Sequence, residues 1–379
     1  MQIYVVKEGD SIDSIAAAFA ADALQIAYDN QISEPYRLAI GQALFIQGTE
    51  SESQKRTVYV NGYAYPYIQA QVLSDTLPYL TTLSVFSYGF TTSGDLVPPR
   101  VDDNRMINEA WRQGTTPVLV LTPFDQSGMF NNYLISEIVH NPSAQQHLID
   151  QIFLTMEEKG FAGIDIDFEY ILPQDRVAYA EFVANVRNQA APKGYPVSVA
   201  LAPKTSANQK GLLYEGKDYK LLGAAADSVL LMTYEWGYTY GPPMAVAPIN
   251  KVREVVEYAV TEIPTEKIDL GIPNYGYDWT LPYVQGTSKA RTIGNVEAVQ
   301  IAIENDAVIQ FDQTAMSPYF RYEKDGVQHE VWFEDVRSMK EKFQLITEYN
   351  LRGMGYWQIM KLFRANWLLL ADTFEIIKQ

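Results

Sequence analysis

From Thr57 onward the chain alternates short apolar runs with longer stretches whose apolar residues recur every three or four positions. The short runs read as strands, because four to eight consecutive β-branched, aliphatic or aromatic residues bounded by polar or turn-forming residues suit a buried sheet. They are Val58 to Asn61, Leu83 to Tyr88, Pro117 to Leu121, Gly163 to Glu169, Val197 to Ala202, Ser228 to Tyr234, Ile268 to Pro273 and Gly353 to Gln358. The longer stretches predict helices at Asp103 to Gln113, at Ser143 to Lys159, and near Arg176 to Gln189, Ile249 to Glu262 and Glu334 to Tyr349. In the second of these, Ser143 is the expected N-cap, and Leu148, Ile152 and Met156 form the inward face. Eight strands alternating with helices predict an α/β fold, a (β/α)8 TIM barrel spanning residues 57–379.

One interval breaks the rhythm. About 80 residues separate the seventh and eighth strands, where a helical return needs roughly 25–35. The excess, about 280–333, carries Tyr319, Phe320, Tyr322 and Trp332 in alternating polar company. A small α+β insertion rich in strand, forming one wall of a cleft, is expected there.

Residues 1–47 have their own pattern of strand, helix, helix, strand. Ile3-Tyr4-Val5-Val6 opens it, and Asp10 or Ser11 can cap a first helix beginning with Ile12, Ile15 and Ala16. A second helix runs roughly from Asp22 to Asn30, and Ala39 to Ile46 returns as a closing strand. Residues 48–56 are polar throughout and read as an exposed linker that tethers this unit to the barrel.

The fourth barrel strand holds the candidate chemistry. With a period of two, Asp165, Asp167 and Glu169 share one face and Ile164, Ile166 and Phe168 the other. Carboxylates in such a row repel one another and resist desolvation, so the arrangement points to acid–base work. The apolar opposite face argues against a solvated edge strand. The absence of a turn with a central glycine and a trailing glutamate argues against a calcium loop. In a barrel of this kind the C-terminal ends of the strands form the active mouth. Tyr234 and Glu235 after the sixth strand, Asn274 and Tyr275 after the seventh, Trp357 at the eighth and Tyr63 after the first therefore face the same opening as Glu169.

Composition narrows the function. A net charge of −17 and a pI near 4.6 leave no basic patch for nucleic acid or for an anionic membrane. The chain has no cysteine, which excludes disulfides and thiolate chemistry. Its three histidines, His140, His147 and His329, have no metal-ligand spacing and read as surface or satisfied core residues. No metal and no cofactor is expected. The opening MQIYVVKEGD has no basic segment followed by an apolar run, so no secretory signal is visible, and no stretch approaches the roughly 20 apolar residues of a membrane span.

The N-terminal unit resembles the LysM module, a β-α-α-β fold that binds N-acetylglucosamine-containing glycans. The resemblance is carried by Tyr4-Val5-Val6-Lys7-Glu8-Gly9-Asp10-Ser11, by Asn30, and by Ile40-Gly41-Gln42-Ala43-Leu44. The remainder resembles the chitinase-like barrels of glycoside hydrolase family 18, whose fourth strand ends in a DGxDxDxE motif. Here that motif reads Ala162-Gly163-Ile164-Asp165-Ile166-Asp167-Phe168-Glu169, with alanine in place of the first acid. Met232-Thr233-Tyr234-Glu235 is similar to the family's Met-x-Tyr-Asp segment, with glutamate for aspartate. Gly271-Ile272-Pro273-Asn274-Tyr275-Gly276 and Gly355-Tyr356-Trp357-Gln358 match its seventh and eighth strands, while Val118-Leu119-Val120-Leu121-Thr122 lacks the Ser-x-Gly-Gly frequent in chitinases.

The resemblance implies substrate-assisted hydrolysis with retention. Glu169 would be the proton donor, Asp167 would hold the substrate's acetamido N–H, Asp165 would tune Asp167, and Tyr234 would orient the acetamido oxygen. Trp357 would be the floor beneath the sugar, with Glu235, Asn274, Tyr275 and Tyr63 around it. A LysM unit ahead of such a barrel, together with the run Met232 to Pro248, is similar to the spore-cortex-lytic N-acetylglucosaminidases of endospore-forming bacteria. Peptidoglycan, cleaved on the reducing side of N-acetylglucosamine, is then the expected substrate, and a spore or cell-envelope location the expected place. Chitin or another N-acetylglucosamine glycan is the alternative substrate, and a catalytically silent glycan-binding coat protein the alternative class.

Overall fold

The computed structural model describes residues 1–48 and 54–378. Its centre is a closed ring of parallel strands, β1 (Arg56–Ala64), β2 (Thr82–Phe90), β3 (Thr116–Leu121), β4 (Ile164–Ile166), β5 (Val197–Leu201), β6 (Ser228–Leu231), β7 (Ile268–Pro273) and β8 (Gly353–Trp357). Each pairs with its successor, and β8 pairs with β1 to close the barrel. Helices cover the outside, so the strands are buried on both faces; every residue of β3 is buried. The short strand Phe374–Ile376 adds alongside the start of β1.

The fourth strand is shorter than the expected run from Gly163 to Glu169. Its ladder stops at Ile166, and the Asp167 N–H reaches back to Leu121 O at 2.9 Å. Beyond Leu121 the neighbouring β3 offers no further ladder, so Phe168 and Glu169 leave the sheet. Phe168 turns outward and stacks on Tyr179 and Phe182, with ring centroids at 5.6 and 5.8 Å. That outward anchor fixes where the acids on the other face emerge.

The helix expected from Ser143 instead starts at Pro142, with Asn141 as its cap accepting from the Ala144 N–H at 3.1 Å. Proline suits the first helical position because its missing N–H would have no partner there. Leu148, Ile152 and Met156 face inward and are fully buried, and Gly160, at φ +84°, ends the helix.

In the N-terminal unit, strands Gln2–Val5 and Ala43–Ile46 pair antiparallel around helices Ile12–Phe19 and Ala23–Asp29. Ser11 is the cap of the first helix, in a reciprocal box with Ser14. Asn30 pins the closing strand through both of its amide atoms, to Phe45 N at 2.7 Å and to Phe45 O at 2.8 Å.

A tethered unit is not what forms. Residues 49–53 of the expected linker lie outside the described residues, and Arg56 already belongs to β1. The unit is packed directly on the barrel and its insertion. Ile309 N donates to Ile40 O at 2.9 Å, Arg37 reaches Ile303 O at 3.1 Å, and Arg337 reaches Gly41 O at 3.2 Å. The Arg364 guanidinium lies 3.9 Å from the Tyr28 ring, and Phe45 joins the barrel core. These partners are about 270 or more residues apart in the chain, a separation at which local pattern carries no signal.

Between β7 and β8 the chain builds a five-stranded antiparallel sheet in the order 291–293, 276–280, 327–332, 317–324, 310–312, with helix Asn295–Glu304 against it. It has its own core, including Ile293, Ala302, Phe320, Val331 and Phe333, and Ala39 of the N-terminal unit enters that core. Gly41 sits at the contact with φ +85°, and a Cβ on it would lie 1.9 Å from Ile309 O. Gly9 has a similar φ of +83° but open space around it. Gly41→Ala is therefore expected to destabilise the chain by about 1–3 kcal/mol more than Gly9→Ala, read as the difference in their denaturation midpoints.

Candidate active site

The inward face of β4 delivers Asp165 and Asp167 to the barrel mouth, where they are 1% and 6% exposed, with Glu169 one step further out. Asp165 accepts hydrogen bonds from Tyr63 OH at 2.8 Å and from Ser198 Oγ at 2.5 Å. These donors come from β1, three strands away around the ring, and from β5, the strand paired with β4. Burial raises the Asp165 pKa, and both hydroxyls hold it down. Asp167 is raised well above the usual carboxylate range by burial and by the charges of Glu169 and Asp165, and its Oδ1 has no hydrogen-bond partner among the described residues. Glu169 is also raised by burial, opposed by the buried ammonium of Lys217.

Tyr234 follows β6, 9% exposed, and burial raises its hydroxyl well above the usual tyrosine range. Gly271 lets it lie there, since a Cβ at that position would meet Leu231 O at 2.1 Å and the Tyr234 ring at 2.9 Å. Glu235 adopts φ +69°, a left-handed conformation uncommon for a residue with a side chain. Its carboxylate accepts from Tyr275 OH and, at 2.8 Å, from Tyr277 OH, which brace it and offset part of the rise caused by burial.

Trp357, at the end of β8, packs edge-on against Phe86 at 5.0 Å and beside Tyr63 at 5.8 Å. It floors a cavity of about 230 Å³ lined also by Tyr63, Asp167, Glu169, Tyr234 and Glu235. A second cavity of about 160 Å³ shares Glu169, Tyr234 and Glu235 and continues to Tyr214 and Trp236. Glu169 thus stands where two halves of one cleft meet. Tyr67, stacked on Tyr65 at 5.2 Å, is exposed at the rim, as are Tyr170, Tyr238 and Tyr240.

Not every expected binding residue opens onto the cavity. Asn274 turns its amide to the backbone carbonyls of Gln358 and Lys361, at 3.1 and 3.0 Å, and steadies the exit of β8. Tyr275 is buried behind Glu235. Tyr319 and Trp332 stack on each other at 4.6 Å in the insertion sheet. Sequence reading missed Ser198, Phe86, Tyr277 and Lys217. Ser198 interrupts an apolar strand at an inward position, the one local sign available; the others carry none.

The two hydroxyls on Asp165 have opposite effect to its burial, so removing one must raise its pKa. Ser198→Ala is expected to shift the Asp165 carboxyl upward, read by carbon-13 NMR titration of the aspartate carboxyls.

Residues 127–361 match glycosyl hydrolases family 18, and residues 4–47 match the LysM domain. The chain is 43% identical over 431 aligned residues to the cortical fragment-lytic enzyme of Bacillus subtilis (strain 168), with 100% of this chain and 99% of the relative covered. The crystal structure of the Bacillus megaterium spore cortex-lytic enzyme SleL superposes with a TM-score of 0.93 at 35% identity, over 100% of this chain and 99% of that one. A Chromobacterium violaceum chitinase shares the barrel fold, with a TM-score of 0.76 at 24% identity over 83% of this chain and 98% of that one. The chain belongs to glycosyl hydrolases family 18 and carries a LysM domain ahead of its catalytic barrel.

Proposed function

We propose that the protein hydrolyses the β-1,4 bond on the reducing side of N-acetylglucosamine in spore-cortex peptidoglycan, by substrate-assisted catalysis with retention. The observation that carries this reading is the pair Asp167 and Glu169, backed by the buried Asp165, meeting Tyr234 and Trp357 around one cavity. Burial pushes Glu169 toward its protonated form, and it delivers that proton to the glycosidic oxygen as the C–O bond breaks. The substrate's acetamido oxygen attacks the anomeric carbon, giving an oxazolinium ion. Asp167, with an acceptor free, takes the acetamido N–H and balances the positive charge. Water then adds to the anomeric carbon from the side the leaving group vacated and returns a proton to Glu169, so configuration is retained.

Trp357 supplies the apolar floor for the sugar ring. Tyr63 acts through Asp165 and Tyr275 through Glu235, while Asn274 holds the β8 exit beneath the sugar. The names of the relatives support cortex as the polymer, and the LysM unit supports a glycan partner held outside the cleft. The chemistry supports the bond. In the muramic lactam of cortex the amide is closed into a ring and its carbonyl cannot reach the anomeric carbon, so assistance requires N-acetylglucosamine at the cleavage point. We place the protein's action at the spore for the same reason.

Digestion of cortex muropeptides should create new N-acetylglucosamine reducing ends, scored by mass spectrometry. New muramic reducing ends without them would overturn the bond assignment, and cleavage of chitin oligomers alone would move the substrate to chitin. Glu169→Gln should lower kcat by about 10³-fold with little change in KM.

A further inference from the structure

Lys217 is a cation enclosed in the barrel wall. It lies between β5 and the helix Tyr219–Ala225, its side chain is fully buried, and its Nζ donates to Ala200 O on β5 at 2.8 Å. The Tyr179 ring covers one side, 5.7 Å from Nζ, and among the described residues the ammonium forms no direct ion pair. Its backbone is held from two directions. Lys204 Nζ donates to Lys217 O at 2.7 Å, and Gly216 lies so close to the chain leaving β4 that a Cβ there would meet Ile171 O at 2.1 Å. Desolvating an ammonium for one backbone hydrogen bond is unfavourable, and a loop staple could be made with a neutral side chain. What the site adds is charge beside the acid row: Ala200, whose carbonyl holds Nζ, lies on the strand paired with β4 and lines the same cavity as Asp167 and Glu169, and Tyr179, which covers Nζ, stacks on Phe168 between those two acids. The anions that feel it are Asp167, Glu169 and Asp165.

We propose that Lys217 is a positioning residue for the hydrolysis, its buried ammonium acting from behind the acid row to keep a negative charge on the aspartate pair while Glu169 carries the proton. This rests on the roles given above to Glu169 and Asp167. In a water-excluded interior such an interaction works beyond contact distance. Burial pulls the ammonium down and the three carboxyls pull it partly back, leaving it at about 8, and Lys217 in turn lowers each of them against the burial that raises them. The other charges nearby are engaged elsewhere. Asp218 caps the following helix and faces Arg176 at 3.8 Å, Asp269 pairs with Arg352, Glu235 is held by its two tyrosines, and Lys204 is bound to backbone carbonyls. Tyr63, Tyr234, Tyr179 and Tyr219 are all raised and neutral.

The sign follows directly. Removing a cation destabilises carboxylates, so the acid whose ionised form is needed and the acid whose proton is needed both titrate at higher pH. In Lys217→Met, which keeps the unbranched stem, both limbs of the kcat/KM profile on cortex muropeptides should move upward by on the order of one pH unit, with kcat at pH 7 about tenfold lower. Lys217→Arg should return both limbs toward the parent positions. A folded Lys217→Met enzyme that loses rate or thermal stability with neither limb displaced overturns the proposal. If Lys217→Met does not fold, a reciprocal measurement needs no change at the lysine. In Asp167→Asn, nitrogen-15 NMR of the lysine ammoniums should give a lower Lys217 pKa than in the parent protein, and an unchanged value counts against the interaction. An active Glu169→Gln enzyme would instead remove the role of Glu169 and leave the NMR result readable, so the two failures are distinct.

Discussion

The structure depends on keeping a row of like-charged carboxyl groups out of water at one end of a barrel. Desolvation raises all three, and mutual repulsion adds to the rise at Asp167. No single strand can relieve this, because side chains on one strand face point the same way. Relief comes from other strands, Tyr63 on β1 from across the barrel interior and Ser198 on the adjacent β5, which occupy the two oxygens of Asp165. Closure of the ring between β8 and β1 brings Tyr63 and Trp357 within 5.8 Å of each other and so completes the cavity around Asp167 and Glu169. An acid row that is partly satisfied in this way holds different proton affinities within a few ångströms, which is the requirement for one group to give a proton while another stays charged.

The same constraint reaches outward through the insertion. Tyr277 lies on the first strand of the inserted sheet, yet its hydroxyl braces Glu235 on the loop after β6. The inserted sheet is in turn the surface on which the LysM unit rests, with Ala39 in its core and Ile40 bonded to Ile309. Cleft wall and glycan-binding unit are therefore one packed body.

Two departures from the family pattern take on meaning together. The first acid of the fourth-strand motif is Ala162, and the third strand has no serine to offer Asp165. With those partners missing, Asp165 would be left with an unpaired oxygen in a dry site. Ser198, approaching from the opposite neighbouring strand, fills that place at 2.5 Å. The demand for a donor is conserved by physics even where the donor's position is not.

The apolar and polar pattern by itself determined the eight strands, the inserted element, the β-α-α-β unit and the acid row, because each of these is a local periodicity. It also placed Glu169, Tyr234, Glu235 and Trp357 at one mouth, since strand ends of a barrel share a side. Tertiary structure alone decided that β4 ends at Ile166, that Asn274 and Tyr275 support the cleft from behind, and that the LysM unit is docked. It alone brought Ser198 and the buried Lys217 to the acids. Those outcomes depend on residues meeting across the barrel or across some 300 positions of chain, as Arg337 and Gly41 do at a separation of 296, and a pattern read over a few residues has no access to such meetings.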